Sequence, residues 1–311
     1  MQATVRNKVE FAGVGLHSGA ATRLVINPAP VGHGIVFRRV DLTGDDNRLA
    51  ARWDNVTPSP LCTLLDNGRG ATLSTVEHVM AALAGTGIHN VLIDVDGPEV
   101  PILDGSSQVF VRGILKAGIL LQGRRLRAIR VLRPVEVREG EAFARLDPAD
   151  HLEIDFKIDF TDAAIGHQEK QLDMANGAFL RELADSRTFC RQSDVDAMRA
   201  RGLALGGTYD NAVVVDGAKV LTPGGLRHVD EAVRHKMLDA LGDLALAGAP
   251  LLARYTGHRA GHAMTNRLLR ALFSRPDTWE WVACSSDLEN RLPGAGVSAY
   301  GPLAGHDAVP G

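Results

Sequence analysis

The sequence predicts an α+β protein of two domains, and three observations carry that reading. Strand-like segments come first and helices after, and the pattern occurs twice along the chain. At 311 residues the chain is long for one core and comfortable for two. Around LQGRRLRAIRVLRP basic residues cluster and a new run of strands begins. This places a first domain over residues 1–125, a second over 126–285 with an insert near 190–216, and an irregular Gly/Pro-rich tail over 286–311.

In chain order, ATRLVINPAP and GIVFRRVDL read as short strands, the first broken by Pro28 and Pro30. LCTLLDNGRGATLS places a D-N-G turn between two short runs, as a hairpin does. STVEHVMAALAGTG is a helix closed by glycines. HNVLIDVDG is a buried strand, DGPEVPILDGSS a Pro/Gly loop, and QVFVRGILKAGI a second helix. The second half supplies strands at RPVEVRE, EAFARLDP and HLEIDFKIDF, then the helix-like FLRELADS and a loop-rich βαβ-like piece. Helices follow at VRHKMLDALGDLALAG and HAMTNRLLRALFS.

Composition narrows the class. The formal net charge of −3 argues against a general nucleic-acid binder. Three cysteines without a C-x-x-C pair suggest reduced thiols rather than a disulfide framework. The N-terminus shows no secretory h-region, and no apolar run reaches the roughly 18–20 residues of a membrane span. A cytoplasmic protein without a transmembrane segment is expected.

The chemistry concentrates on one helix. His235, Asp239 and Asp243 are spaced by four residues, which stacks them on nearly one face. A His–Asp pair at i and i+4 can bind a divalent ion, or can simply be a salt bridge. A catalytic zinc needs a third ligand and an open position. His78 in STVEH is the candidate, and Glu77 beside it projects about 100° around the helix, toward a water on the metal. Ser74-x-x-Glu77 also matches a capping box, in which Glu77 would serve the helix terminus instead. His262, at a helix start, is a candidate proton donor, since an unperturbed imidazole titrates near 6.5; a solvent-facing terminus is the other reading. The glycines of GVGLHSG miss the G-x-G-x-x-G spacing. From Val195 to Val215, Met198, Leu203, Leu205, Tyr209 and Val213 form either an apolar groove or ordinary core.

These motifs closely resemble the zinc-dependent UDP-3-O-acyl-N-acetylglucosamine deacetylase family of lipid A biosynthesis. The stretches that carry the likeness are GVGLHSG, LCTLL, STVEHVMAALAGTGIHN, PEVPILDGSS, SRTF, RGLALGGTYDNAVVVD, VRHKMLDALGDL and GHAMTN, reaching to about residue 285. The resemblance implies two α+β domains with the active site between them. It implies zinc on His78, His235 and Asp239, with iron(II) an alternative for the same ligands. It implies Glu77 as general base, His262 as general acid, Thr188 polarising the acetyl carbonyl, and Lys236 and Asp243 supporting charge. Asp243 is expected to orient or tune His262. The implied substrate is a UDP-sugar carrying an acyl chain, met by His17, Phe189, Met198, Leu203, Gly207, Tyr209 and Val214, and the protein is expected to be a monomer. Cys190 stands where the family more often has glycine. Two rivals are a zinc amidase acting on another N-acyl sugar or amide, and a metal-stapled scaffold without turnover. A structural zinc site usually has four protein ligands, and three are evident here, which favours an enzyme.

Overall fold

A computed structural model of the chain describes residues 1–297 and is a mixed α+β structure. The first half is built on a five-stranded sheet. Its strands run, in spatial order, Val9–Val14, Ala21–Pro28, Val91–Val95, Ile35–Arg39 and Arg48–Ala50. Alternation makes the sheet: Leu24 and Ile26 point inward from one strand, and Val91, Ile93 and Val95 from its neighbour. The hairpin expected in LCTLLDNGRGATLS is present, pairing Leu64–Asp66 with Thr72–Leu73.

The second half is built on a seven-stranded sheet. Leu152, Ile154, Phe156 and Ile158 face the core from the strand Leu152–Asp159, while the residues between them face out. The central strand is Leu251–His258, which pairs with Ala142–Pro148, Leu152–Asp159 and Arg127–Val131. Neither this strand nor His167–Asp173 and Trp279–Ala283 stood out in the sequence. Leu251–His258 opens on three buried apolar residues and alternates only from Ala253 on, with the small Ala253 and Gly257 on its buried side, so its apolar periodicity is weak. FLRELADS forms a single π-helical turn, Phe179–Leu183. The βαβ-like piece is Phe189–Arg191, the helix α3 (Gln192–Arg199) and Val213–Asp216, its strands parallel. One helical turn, Ser286–Glu289, lies within the segment read as an irregular tail; residues 298–311 lie outside the described ones.

Helices α1 (Glu77–Gly85) and α2 (Gln108–Ala117) belong to the first half, α4 (Glu231–Ala245) and α5 (His262–Phe273) to the second. The capping-box reading does not hold. α1 begins at Glu77, and no side chain caps its start. The Glu77 carboxylate turns instead to the backbone N–H of Thr63. Nearly every residue of α1 is buried, as for a helix inside a protein rather than on it. It lies against α4, and one apolar core runs through both halves across this contact, joining Met80 and Leu83 to Leu241 and Leu244. Each such side chain contributes about 1.5–3 kcal/mol by leaving water.

The crossing depends on Gly242. A β-carbon there would lie 2.1 Å from the Glu77 carbonyl oxygen and 3.1 Å from the Ala81 nitrogen. Gly242→Ala must therefore push apart the helices that carry His78 and Asp239. We expect it to cost about 1–3 kcal/mol in denaturant unfolding, the usual penalty for overpacking, and to lower metal affinity. An unchanged unfolding midpoint and metal affinity would show that the crossing tolerates a methyl group.

Candidate active site

The α1–α4 crossing brings the predicted ligands together. The ligand atoms of His78, His235 and Asp239 all lie within 4.8 Å of one another, and all three residues are buried. The imidazole Nε2 atoms of His78 and His235 stand 3.6 and 3.3 Å from Asp239 Oδ1. His235 Nδ1 is 3.0 Å from the Ser186 carbonyl, which can only accept; the proton therefore sits on Nδ1 and the Nε2 lone pair faces the group. Burial pushes the His235 pKa down to about 4, so it is the neutral ring a metal requires. Burial works against a charge on Asp239, yet the groups around it, the Lys236 ammonium among them, hold its carboxyl well below the usual range. Lys236 Nζ donates to Asp239 Oδ2 at 2.7 Å, while Oδ1 is buried with no hydrogen-bond partner. A buried carboxylate oxygen left unpartnered between two imidazoles is costly in a metal-free protein and is satisfied by a cation. The donor set therefore fits a metal ion.

Two proton-handling groups flank this triad. Glu77 is buried, and burial raises its pKa, bringing it toward the range useful for a base at neutral pH. Its Oε1 is 3.7 Å from His262 Nε2. Burial disfavours the charge on His262, but Asp243 and Glu77 outweigh it and lift the pKa to about 9. His262 Nδ1 lies 2.8 Å from Asp243 Oδ2, so Asp243 sits behind the imidazole.

A cavity of about 950 Å³ opens over these groups. Glu77, His78, His235, Lys236, Asp239 and His262 line it, with Thr188 and Phe189 on one wall. Asp243 does not line it and reaches it only through His262. His17, Met198, Leu203, Gly207, Tyr209 and Val214 all reach the cavity. Leu205 and Val213, two of the apolar residues read from the insert, do not. Leu205 is exposed, and its N–H pairs with the His17 carbonyl. Val213 alternates with Val214 along its strand and so packs behind the wall with Ile165 and Leu226. Cys190 lines the cavity, and burial pushes its thiol up to about 11, so it is not a thiolate.

Several partners went unread in the sequence. Glu99 is buried and accepts the N–H groups of His17 and Ser18 at 2.9 and 2.8 Å, which holds the GVGLHSG loop over the cavity. Glu231, on the first turn of α4, accepts from the Arg187 backbone and guanidinium and so fixes the loop before Thr188. Thr188 itself donates its N–H to Gly105 of the first half at 2.8 Å. Thr63 touches both Glu77 and Asp243. These are single polar residues, in loops or, for Glu231, at a helix start, far from their partners in sequence and with no periodicity to mark them.

A three-ligand group able to hold a metal ion, with a carboxylate and an imidazole beside it in one cavity, is an arrangement of the metallohydrolase class. Comparison with known proteins narrows the class. The family model of UDP-3-O-acyl N-acetylglycosamine deacetylase matches residues 2–274. The UDP-3-O-acyl-N-acetylglucosamine deacetylase of Phenylobacterium zucineum (strain HLK1) is 49% identical over 287 residues, covering 92% of this chain and 98% of the relative. That of Xanthomonas campestris pv. campestris (strain B100) is 45% identical over 91% of this chain and 93% of its own length. That of Shewanella frigidimarina (strain NCIMB 400) is 43% identical over 94% and 95%. The chain belongs to the UDP-3-O-acyl N-acetylglycosamine deacetylase family.

Proposed function

We propose that this chain hydrolyses the N-acetyl amide of UDP-3-O-acyl-N-acetylglucosamine, releasing acetate and the free amine, with zinc held by His78, His235 and Asp239. The observation that carries the reading is the unpartnered Oδ1 of Asp239 between the imidazoles of His78 and His235, with Glu77 and His262 facing each other beside it. Zinc there supplies Lewis acidity, which polarises the acetyl carbonyl and acidifies water. Glu77 takes the proton of the attacking water. The Thr188 hydroxyl, held on the cavity wall, donates to the oxyanion as it forms. His262, charged by its pairing with Asp243, gives its Nε2 proton to the leaving nitrogen. Without that proton the departing group would be an amide anion, a very poor leaving group. Lys236 holds Asp239 ionised and adds positive potential to the cavity floor.

The acyl chain lies against Met198, Leu203, Tyr209 and Val214, while His17, Phe189 and Gly207 border the sugar end. Residues 1–125 and 126–285 act as the two domains that meet at the ion, in a monomer working in the cytoplasm. No described helix is long and apolar enough to cross a membrane.

Removing the metal with a chelator is expected to abolish acetate release from UDP-3-O-acyl-N-acetylglucosamine, and stoichiometric zinc to restore it. Acetate release from rigorously metal-free protein would overturn the mechanism. Restoration by iron(II) but not zinc would overturn the choice of metal. Equal turnover of the substrate without its acyl chain would transfer the reading to a general N-acyl sugar amidase.

A further inference from the structure

Thr63 lies in LCTLL, just before the strand Leu64–Asp66, and is 2% exposed. Its backbone N–H donates to Glu77 Oε2 at 3.1 Å. Its hydroxyl lies 2.5 Å from Asp243 Oδ1. An ionised carboxylate can only accept, so the hydroxyl is the donor, in a short charge-assisted bond. The other oxygen of Asp243 takes the His262 ring at 2.8 Å. One residue of the first half thus contacts the carboxylate facing the cavity and, through Asp243, the imidazole opposite it. It does so across 180 residues of sequence.

We propose that Thr63 is a positioning residue for both proton transfers: its hydroxyl fixes the plane of Asp243, and through it the aim of His262, while its N–H fixes the rotamer of Glu77. A carboxylate hydrogen-bonded at one oxygen can still swing about its own side-chain torsions. Bonded at both oxygens, to Thr63 and to His262, it is held. Glu77 is treated likewise, with Oε2 anchored and Oε1 left to face His262 Nε2 at 3.7 Å. The separation of base and acid is then set through one threonine rather than by two independent side chains. The inference rests on the roles given above to Glu77 and His262.

Thr63→Val deletes the hydroxyl and keeps the N–H and the shape; Thr63→Ser keeps both donors. In zinc-loaded full-length protein, the valine variant is expected to lose about 10- to 100-fold in kcat with KM and metal content unchanged, and the serine variant to recover most of that. In an Asp243→Ala background, adding Thr63→Val should cost little, because the hydroxyl acts through Asp243. A second readout needs no turnover. The ring Nδ1–H signal of His262 in 15N-labelled, zinc-loaded protein should be sharp in wild type and Thr63→Ser, and shifted or exchange-broadened in Thr63→Val. Thr63→Ala makes the same deletion should the valine variant fail to fold. A wild-type kcat in the valine variant, the same fold loss with and without Asp243, or an unchanged ring signal would each overturn the proposal. If wild-type protein releases no acetate, the functional reading fails by itself and the ring signal still decides the role of Thr63.

Discussion

Glu77→Gln is expected to lower kcat by about 10²- to 10⁴-fold, the range typical of general acid–base catalysis, while leaving the metal in place. Glutamine preserves the volume of a buried side chain and its carbonyl can still accept from Thr63, so the fold and the three ligands stay as they are. Only the proton-accepting oxygen is lost. The pH profile supplies a second test. Burial raises the pKa of Glu77, and its ionised form is the active one, so activity falls as pH drops through that raised value. His262 is active as the imidazolium and is lifted to about 9, so activity also falls as pH rises. A bound cation disfavours a second positive charge nearby and moves this basic limb below that value. In Glu77→Gln the residual activity should lose the acidic limb and keep the basic one. An unchanged kcat in this variant would remove Glu77 from the mechanism and leave His262 as the proton acceptor.

The second large effect is expected from Asp239→Ala. The substitution removes the one anionic ligand and the oxygen that faces both imidazoles. It also takes from Lys236 its carboxylate partner at 2.7 Å. Metal content measured by elemental analysis should fall to background. kcat should fall by about 10³-fold or more, because a catalytic metal contributes several kcal/mol of charge stabilisation and each 1.4 kcal/mol is a factor of ten. Retention of one bound metal ion per chain would show that a different set of ligands holds it.

Much of the site could be read from local spacing. His235, Asp239 and Asp243 fall at i, i+4 and i+8, and a helix must place them on one face whatever surrounds it. His78 and Glu77, adjacent at the head of an apolar helix, were legible in the same way, as were the strands whose buried and outward residues alternate. The central strand Leu251–His258 was not, because its buried side carries the small Ala253 and Gly257 beside Tyr255 and so gives little apolar signal. Nor was it clear which of Val213 and Val214 would face the cavity. Alternation says that neighbours point oppositely, and only the packing of the sheet says which way.

Taken by itself, then, the sequence determined the α+β class, the stripe of ligands on α4, the His78–Glu77 pair and, through its motifs, the family. Whether Glu77 would cap its helix or enter the site was left open, since both uses begin with the same residues. The fold decided it by bringing the Thr63 N–H to the carboxylate and leaving the helix start uncapped. The fold also decided that α1 and α4 could touch at Gly242, that Glu231 would grip Arg187, and that Asp243 would stand between Thr63 and His262. Backbone periodicity constrains residues a few positions apart. Distances between residues far apart in the chain exist only once a shared core has brought the helices together.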